Sequence, residues 1–157
     1  MMTRFELSQA KLDDVGILVQ HRLGMFNGMH PELAKEIQAP KEQTRQWLIE
    51  KLSDGSLVGF IVRTEDGQAA GSGCLWIKKE QQNPTHPRLE APYLLSMYTE
   101  KSYRRRGVAR LIVKTAITWS REHGYDRINL HATDVGKPLY EEFGFKPTNE
   151  MNLKLSN

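Results

Sequence analysis

Cysteine is almost missing from this sequence: Cys74 stands alone. With no second thiol there is no internal disulfide and no cysteine-rich zinc site, which suits a reducing cytosol. Long apolar runs are missing too. No stretch approaches a membrane span, and the opening MMTRFELSQA has no apolar core of signal-peptide length. The expectation is a cytoplasmic protein with no membrane partner. The five histidines show no paired spacing of the HExxH kind, so no metal is expected. GxxxxGK[ST] does not occur, and GSGCLW at Gly71 puts Trp76 where the third glycine of GxGxxG should stand. Repeats, low-complexity tracts and linkers are absent, which leaves one domain over residues 1–157.

What is present is ordinary globular composition, 39% hydrophobic and 26% charged. The formal charge of +3 permits an anionic ligand without demanding one. TRFEL alternates as a half-buried strand does, and from Lys11 the period becomes helical, with FNGMHP expected to break the helix at Gly28 and Pro31. A second helix is expected over Glu42 to Leu52. LVGFIVRT and AAGSGCLWIKK read as strands joined by a hairpin at Asp66-Gly67. YLLSMYT reads as an apolar strand. A helix from about Arg106 to His123, a strand RINLHA, a short helix around Pro138 to Phe143, and strands FKPT and EMNLKL complete the pattern. Hairpins early and a strand–helix–strand unit later predict a mixed α/β fold: a three-layer arrangement with a part-antiparallel, part-parallel sheet between helices.

One stretch resists a purely structural reading. YRRRGVARLIVKTAITWSREHG concentrates three arginines at the mouth of a helix whose Val108, Leu111, Ile112, Thr115, Ala116 and Trp119 form a wide apolar side. The first amides of a helix lack intrahelical partners and carry the positive end of its dipole, so arginine there costs stability unless an anion arrives. Gly107 lets a ligand approach the backbone closely. Amides, dipole and arginines together describe a phosphate or pyrophosphate cradle; a solvated basic turn is the bland alternative.

RRRGVA, Arg104 to Ala109, resembles the R/Q-x-x-G-x-G/A signature of the GCN5-related N-acetyltransferases, in its place between a central strand and its helix. PLYEEFGF, Pro138 to Phe145, resembles the second mark of that family, a tyrosine four residues before Gly-Phe. The order of elements matches from Thr3 to Leu155. The resemblance implies direct acetyl transfer, in a ternary complex, from acetyl-CoA to a primary amine of a small molecule or peptide. It implies that the amides of Arg104, Arg105, Arg106, Gly107, Val108 and Ala109 hold the pyrophosphate. Met97 and Tyr98 would run beside the pantetheine arm, and an amide there would polarise the thioester carbonyl. Tyr140 matches the general acid. A phenol near 10 and a thiol near 8.5 differ by roughly 2 kcal/mol, a gap a hydrogen bond to the forming thiolate need not close.

Some positions depart from the family. Thr133 stands where an asparagine is usual, though it can still bond the cofactor arm, and Gly136 stands for an alanine. Tyr93 occupies the place of a glutamate base; Glu90 and Glu100 flank the strand and His131 lies on RINLHA, so the base stays open. The connection after the first helix covers the acceptor in relatives, which makes Phe26, Asn27 and Met29 the expected lining. Cys74, in an apolar strand with no histidine near it in sequence, reads as a buried small hydrophobe. An acyl-CoA sensor without turnover is the alternative function. A nucleic-acid binder is disfavoured for want of an interleaved aromatic platform. The edge of EMNLKL could pair with another copy, so a homodimer is an allowed state.

Overall fold

The computed structural model describes residues 3–156; residues 1, 2 and 157 of the expected domain lie outside it. The elements are β1 (Phe5–Gln9), α1 (Val15–Met29), α2 (Ala34–Gln38), α3 (Lys41–Ser53), β2 (Leu57–Thr64), β3 (Ala69–Lys79), β4 (Glu90–Thr99), α4 (Val108–Glu122), β5 (Asn129–Leu130) and α5 (Lys137–Glu142). The sheet runs β1-β2-β3-β4-β5: the first four strands pair antiparallel and β5 joins β4 in parallel.

Strand alternation builds the three expected layers. Phe60 and Val62 of β2, Leu75 of β3 and Leu94 of β4 pack on one face with Val108, Ile112, Val113 and Ala116 of α4. Ile61 and Cys74 point the other way, against Val15, Leu18 and Val19 of α1 and Leu48 of α3. A sheet covered on both faces explains why β2 reads as a near-continuous apolar run. The hairpin forms where Asp66-Gly67 stands, with Gly67 at φ +86°.

Several expectations are corrected. Gly28 does not break α1, because a helical glycine costs only about 1 kcal/mol. The chain leaves the helix at His30 (φ −136°, ψ 66°), whose neighbour Pro31 disfavours helical geometry in the residue before it. A 3-10 turn at Pro31–Leu33 and the short α2 follow, neither foreseen. Helix α4 opens at Val108, not Arg106, after a left-handed Gly107. RINLHA yields a strand only at Asn129–Leu130, and FKPT and EMNLKL form none. A strand exists only beside another backbone. β4 turns away from β5 after Leu94, and among the described residues no strand neighbours the chain from Lys146 onward, although its alternation survives in Met151, Leu153 and Leu155, which are 94%, 80% and 91% exposed.

Candidate active site

The site begins as a defect in the sheet. β4 meets β5 only at Tyr93↔Asn129 and Leu94↔Leu130. Against β3 its register slips: Leu95 faces Cys74 and Tyr98 faces Ser72, which leaves Ser96 and Met97 together opposite Gly73. This is a β-bulge, and it bends the strand. Ser96 sits at φ 57°, an uncommon value for a residue with a Cβ. Leu95 and Ser96 both turn toward α1, while Met97 packs with the α4 cluster. Among the described residues no strand pairs the outer edge of β4 beyond Leu94. Its free amides and carbonyls there line a wedge.

The arginine mouth closes one end of that wedge. Arg105 (φ 61°) and Gly107 (φ 86°) both take left-handed backbone, and α4 starts with no side-chain cap and no acidic residue in its first turn. A cavity of about 450 Å³ opens there, lined by Thr99, Arg104, Arg105, Gly107, Val108, Ala109, Arg110 and, from α5, Leu139. Arg104 Nε donates to Thr99 O at 3.1 Å, which ties the loop to the end of β4. The side chain of Arg106 turns away, with Nη1 donating to Thr3 Oγ1 at 3.3 Å, so only its backbone belongs to the mouth. Arg110 pairs with Glu142 at 2.7 Å and joins α4 to α5.

Two glycines missed by the sequence reading make this geometry fit. A Cβ on Gly71 would lie 2.7 Å from both Tyr98 O and Val108 Cγ1; on Gly73 it would lie 2.5 Å from Met97 Sδ and 2.9 Å from Ile112 Cγ2. GSG in β3 therefore lets the bulge and the start of α4 sink onto the sheet. It is a packing device where a nucleotide motif was sought.

Tyr140 stands on α5, half-buried, its ring edge-on to Phe145 at 5.8 Å. Burial pushes its phenol above the ordinary value, so the proton is held through neutral pH. Thr133 Oγ1 accepts from Gly136 N at 3.1 Å and shapes the turn into α5, while its own hydroxyl hydrogen stays available.

The opposite wall comes from α1, which packs on β3 and β4. Phe26, Asn27 and Met29 lie in its last turn rather than in a loop, Phe26 half-buried and the other two exposed. Of the polar groups here, Glu100 and Tyr98 were sequence candidates, while His21, Arg22, Ser72 and Ser96 escaped the sequence reading. His21 is 3% exposed; its Nδ1 lies 2.7 Å from Ser72 Oγ and its Nε2 3.4 Å from Glu100 Oε1. Nε2–H toward the carboxylate, with Nδ1 accepting from the serine, satisfies both contacts. Burial lowers the His21 pKa, with Glu100 opposing. Tyr98 OH donates to Glu100 Oε2 at 3.4 Å, and Arg22 Nη1 donates to Ser96 Oγ at 2.7 Å. The one available signal was a His-Arg pair inside an apolar helical stripe.

The remaining candidates are accounted for by their surroundings. Glu90 accepts from Tyr125 OH at 2.9 Å, Tyr93 carries Lys78 Nζ over its ring at 4.7 Å, and His131 is exposed. Cys74 is buried and its thiol is pushed up to about 12, which leaves no thiolate at neutral pH. Among the described residues no group of three potential metal ligands occurs, and no helix is long and apolar enough to cross a membrane.

Comparison with known proteins bears on this geometry. The model of the acetyltransferase (GNAT) family matches residues 25–145, more than half of the chain. An uncharacterized N-acetyltransferase of Bacillus subtilis (strain 168), YdgE, is 30% identical over 118 residues, 73% of this chain and 72% of its own. A crystal structure of a GCN5-related N-acetyltransferase from Ralstonia eutropha JMP134 superposes with a TM-score of 0.87 at 30% identity, covering 97% of this chain and 99% of that one. The crystal structure of a predicted acetyltransferase with acetyl-CoA from Clostridium acetobutylicum shares the fold, with a TM-score of 0.85 at 23% identity over 98% and 96% of the two chains.

Proposed function

Because the chain belongs to the GCN5-related N-acetyltransferase (GNAT) family, we propose that this one domain transfers acetyl directly from acetyl-CoA to a primary amine in a ternary complex. The observation that carries the reading is the uncapped α4 mouth, with left-handed Arg105 and Gly107 around a cavity of about 450 Å³. Amides from Arg104 to Ala109 hold the pyrophosphate, with Arg104 and Arg105 side chains at the rim. The pantetheine arm follows the free edge of β4 past Thr133. The amine nitrogen bonds to the thioester carbon, and an amide at Met97 or Tyr98 stabilises the oxygen that gains charge. The C–S bond then breaks and Tyr140 passes its proton to sulfur. The proton shed by nitrogen restores the phenol, so N-acetylated amine and free thiol are the products. Phe26, Asn27 and Met29 line the acceptor side, and a cytoplasmic setting suits the unpaired Cys74.

Thiol release from acetyl-CoA across a panel of amines tests this. Tyr140→Phe should lower kcat by about 10²- to 10⁴-fold with acetyl-CoA affinity unchanged. The raised phenol places any alkaline loss of activity above the ordinary range near 10. Unchanged kcat in Tyr140→Phe rejects its role as acid.

The working unit is proposed to be a homodimer. Beside the free edge of β5 lies a cavity of about 860 Å³, lined in part by Ile117, Leu130, Phe143 and Phe145, while Met151, Leu153 and Leu155 of the terminal segment project into solvent. The terminal segment of a second copy supplies the missing strand. Light scattering should give twice the 18.0 kDa chain mass, and truncation after Pro147 should give monomer; a monomeric full chain contradicts the proposal.

A further inference from the structure

Arg22 lies half-buried on α1, one turn before Phe26. Its Nη1 donates to Ser96 Oγ at 2.7 Å, and its Cζ lies 5.0 Å from the centre of the Phe26 ring. Neither partner bears a charge. Among the described residues, ion pairs engage Arg45, Arg63, Arg110 and Arg127 but not Arg22. Glu100, the acidic group on the same wall, is turned to His21 and Tyr98. A guanidinium offers five N–H donors in a planar fork, and Ser96 takes one of them. Arg22 is only half-buried, and Ser96 is the one side-chain hydrogen-bond partner it has among the described residues. The position matters as much as the valence. Ser96 is the bulge residue, adjacent to Met97, beside which the preceding reading places the thioester carbonyl.

We infer that Arg22 binds a carboxylate of the acceptor, so that the substrate class is an amino acid, whose amine and carboxylate span the short distance from the bulge to the guanidinium. This inference rests on the acetyl-transfer reading and specifies its acceptor. A carboxylate fits the fork side by side, desolvates the arginine against Phe26 and supplies the charge that the protein withholds. Phosphate sites usually gather several donors; among the described residues α1 presents a single arginine here, and Arg104, over the Tyr98 ring, belongs to the α4 mouth.

The test compares L-amino acids with their α-carboxamides as acceptors, reading thiol release, with calorimetric acetyl-CoA binding measured on every variant. An amide has the lower amine pKa and the larger neutral fraction, so intrinsic reactivity favours it; a preference for the acid reports recognition. Wild type should favour the best amino acid over its amide by at least about tenfold in kcat/KM. Arg22→Gln should remove that preference through KM, with acetyl-CoA affinity held within about twofold, and Arg22→Lys should retain part of it. Ser96→Ala removes the bulge hydrogen bond and keeps the charge, so it should preserve the preference. Equal use of acid and amide by wild type overturns the inference, as does an equal loss for both acceptors in Arg22→Gln, or better transfer to phosphoethanolamine than to any amino acid. Failure of wild type to bind acetyl-CoA overturns the acetyl-transfer reading as well; binding and transfer without preference overturn this inference alone.

Discussion

At the start of α4, arginine comes as a cluster on an exposed turn; on α1 it comes singly, half-buried against β4. The cluster gains its meaning from backbone: left-handed Arg105 and Gly107, uncapped amides and a helix dipole. Its side chains are partly occupied elsewhere, Arg106 with Thr3 and Arg110 with Glu142. Arg22 gains its meaning from its side chain, with one serine hydroxyl, one aromatic face and no carboxylate among the described ion pairs. The two halves therefore respond to different substitutions. The mouth is vulnerable to changes in φ, and the α1 wall to changes in charge.

The largest effect expected on this contrast comes from Gly107→Val. A β-branched residue at φ 86° is strained by about 1–3 kcal/mol, and acetyl-CoA affinity should fall on the order of a hundredfold. Arg22→Gln should leave that affinity alone. If calorimetry shows the two variants losing cofactor equally, the division into halves is wrong. A smaller effect is expected at the floor both halves share. Gly73→Ala pushes a methyl against Met97 and Ile112 and should cost about 1–3 kcal/mol in denaturant unfolding, with KM for acetyl-CoA raised because the bulge shifts. An unchanged midpoint would show that the close approach is not needed.

The smallest effect concerns His21. Burial lowers its pKa in the folded chain below the unfolded value near 6.5, so the unfolded state binds the extra proton first. Stability from this group is present above about pH 6.5 and is lost as pH falls through the folded pKa. His21→Gln should flatten the acid limb of a stability–pH curve. A curve of unchanged slope assigns the acid loss to other groups.

Much of the fold could be read from sequence because apolar pattern reports burial: the near-continuous apolar run of Leu57–Thr64 matches a strand covered on both faces, and the apolar stripe of Val108–Glu122 matches a helix covered on one. The reading failed where structure depends on distant backbone. EMNLKL alternates as a strand does, yet among the described residues no partner strand lies beside it. RINLHA ends as a strand at Leu130 because a bulge at Ser96, on the strand beside it, carries β4 off. The glycine of the mouth was legible because RRRG stands directly before an apolar helix. Gly71 and Gly73 were not, since their purpose is set by Val108 and Met97 across a strand. Arg22 and His21 looked like interruptions of an apolar stripe; only packing of α1 on β3 and β4 gives each a partner.

We propose that the Arg104–Ala109 backbone holds the pyrophosphate of acetyl-CoA. At 18.0 kDa the chain suits amide NMR, and titration with acetyl-CoA reads that backbone directly. The largest shifts are expected at the amides of Arg105 to Ala109, with a second set at Met97 and Tyr98. Saturable shifts confined to other surfaces, or none at millimolar acetyl-CoA, would contradict it.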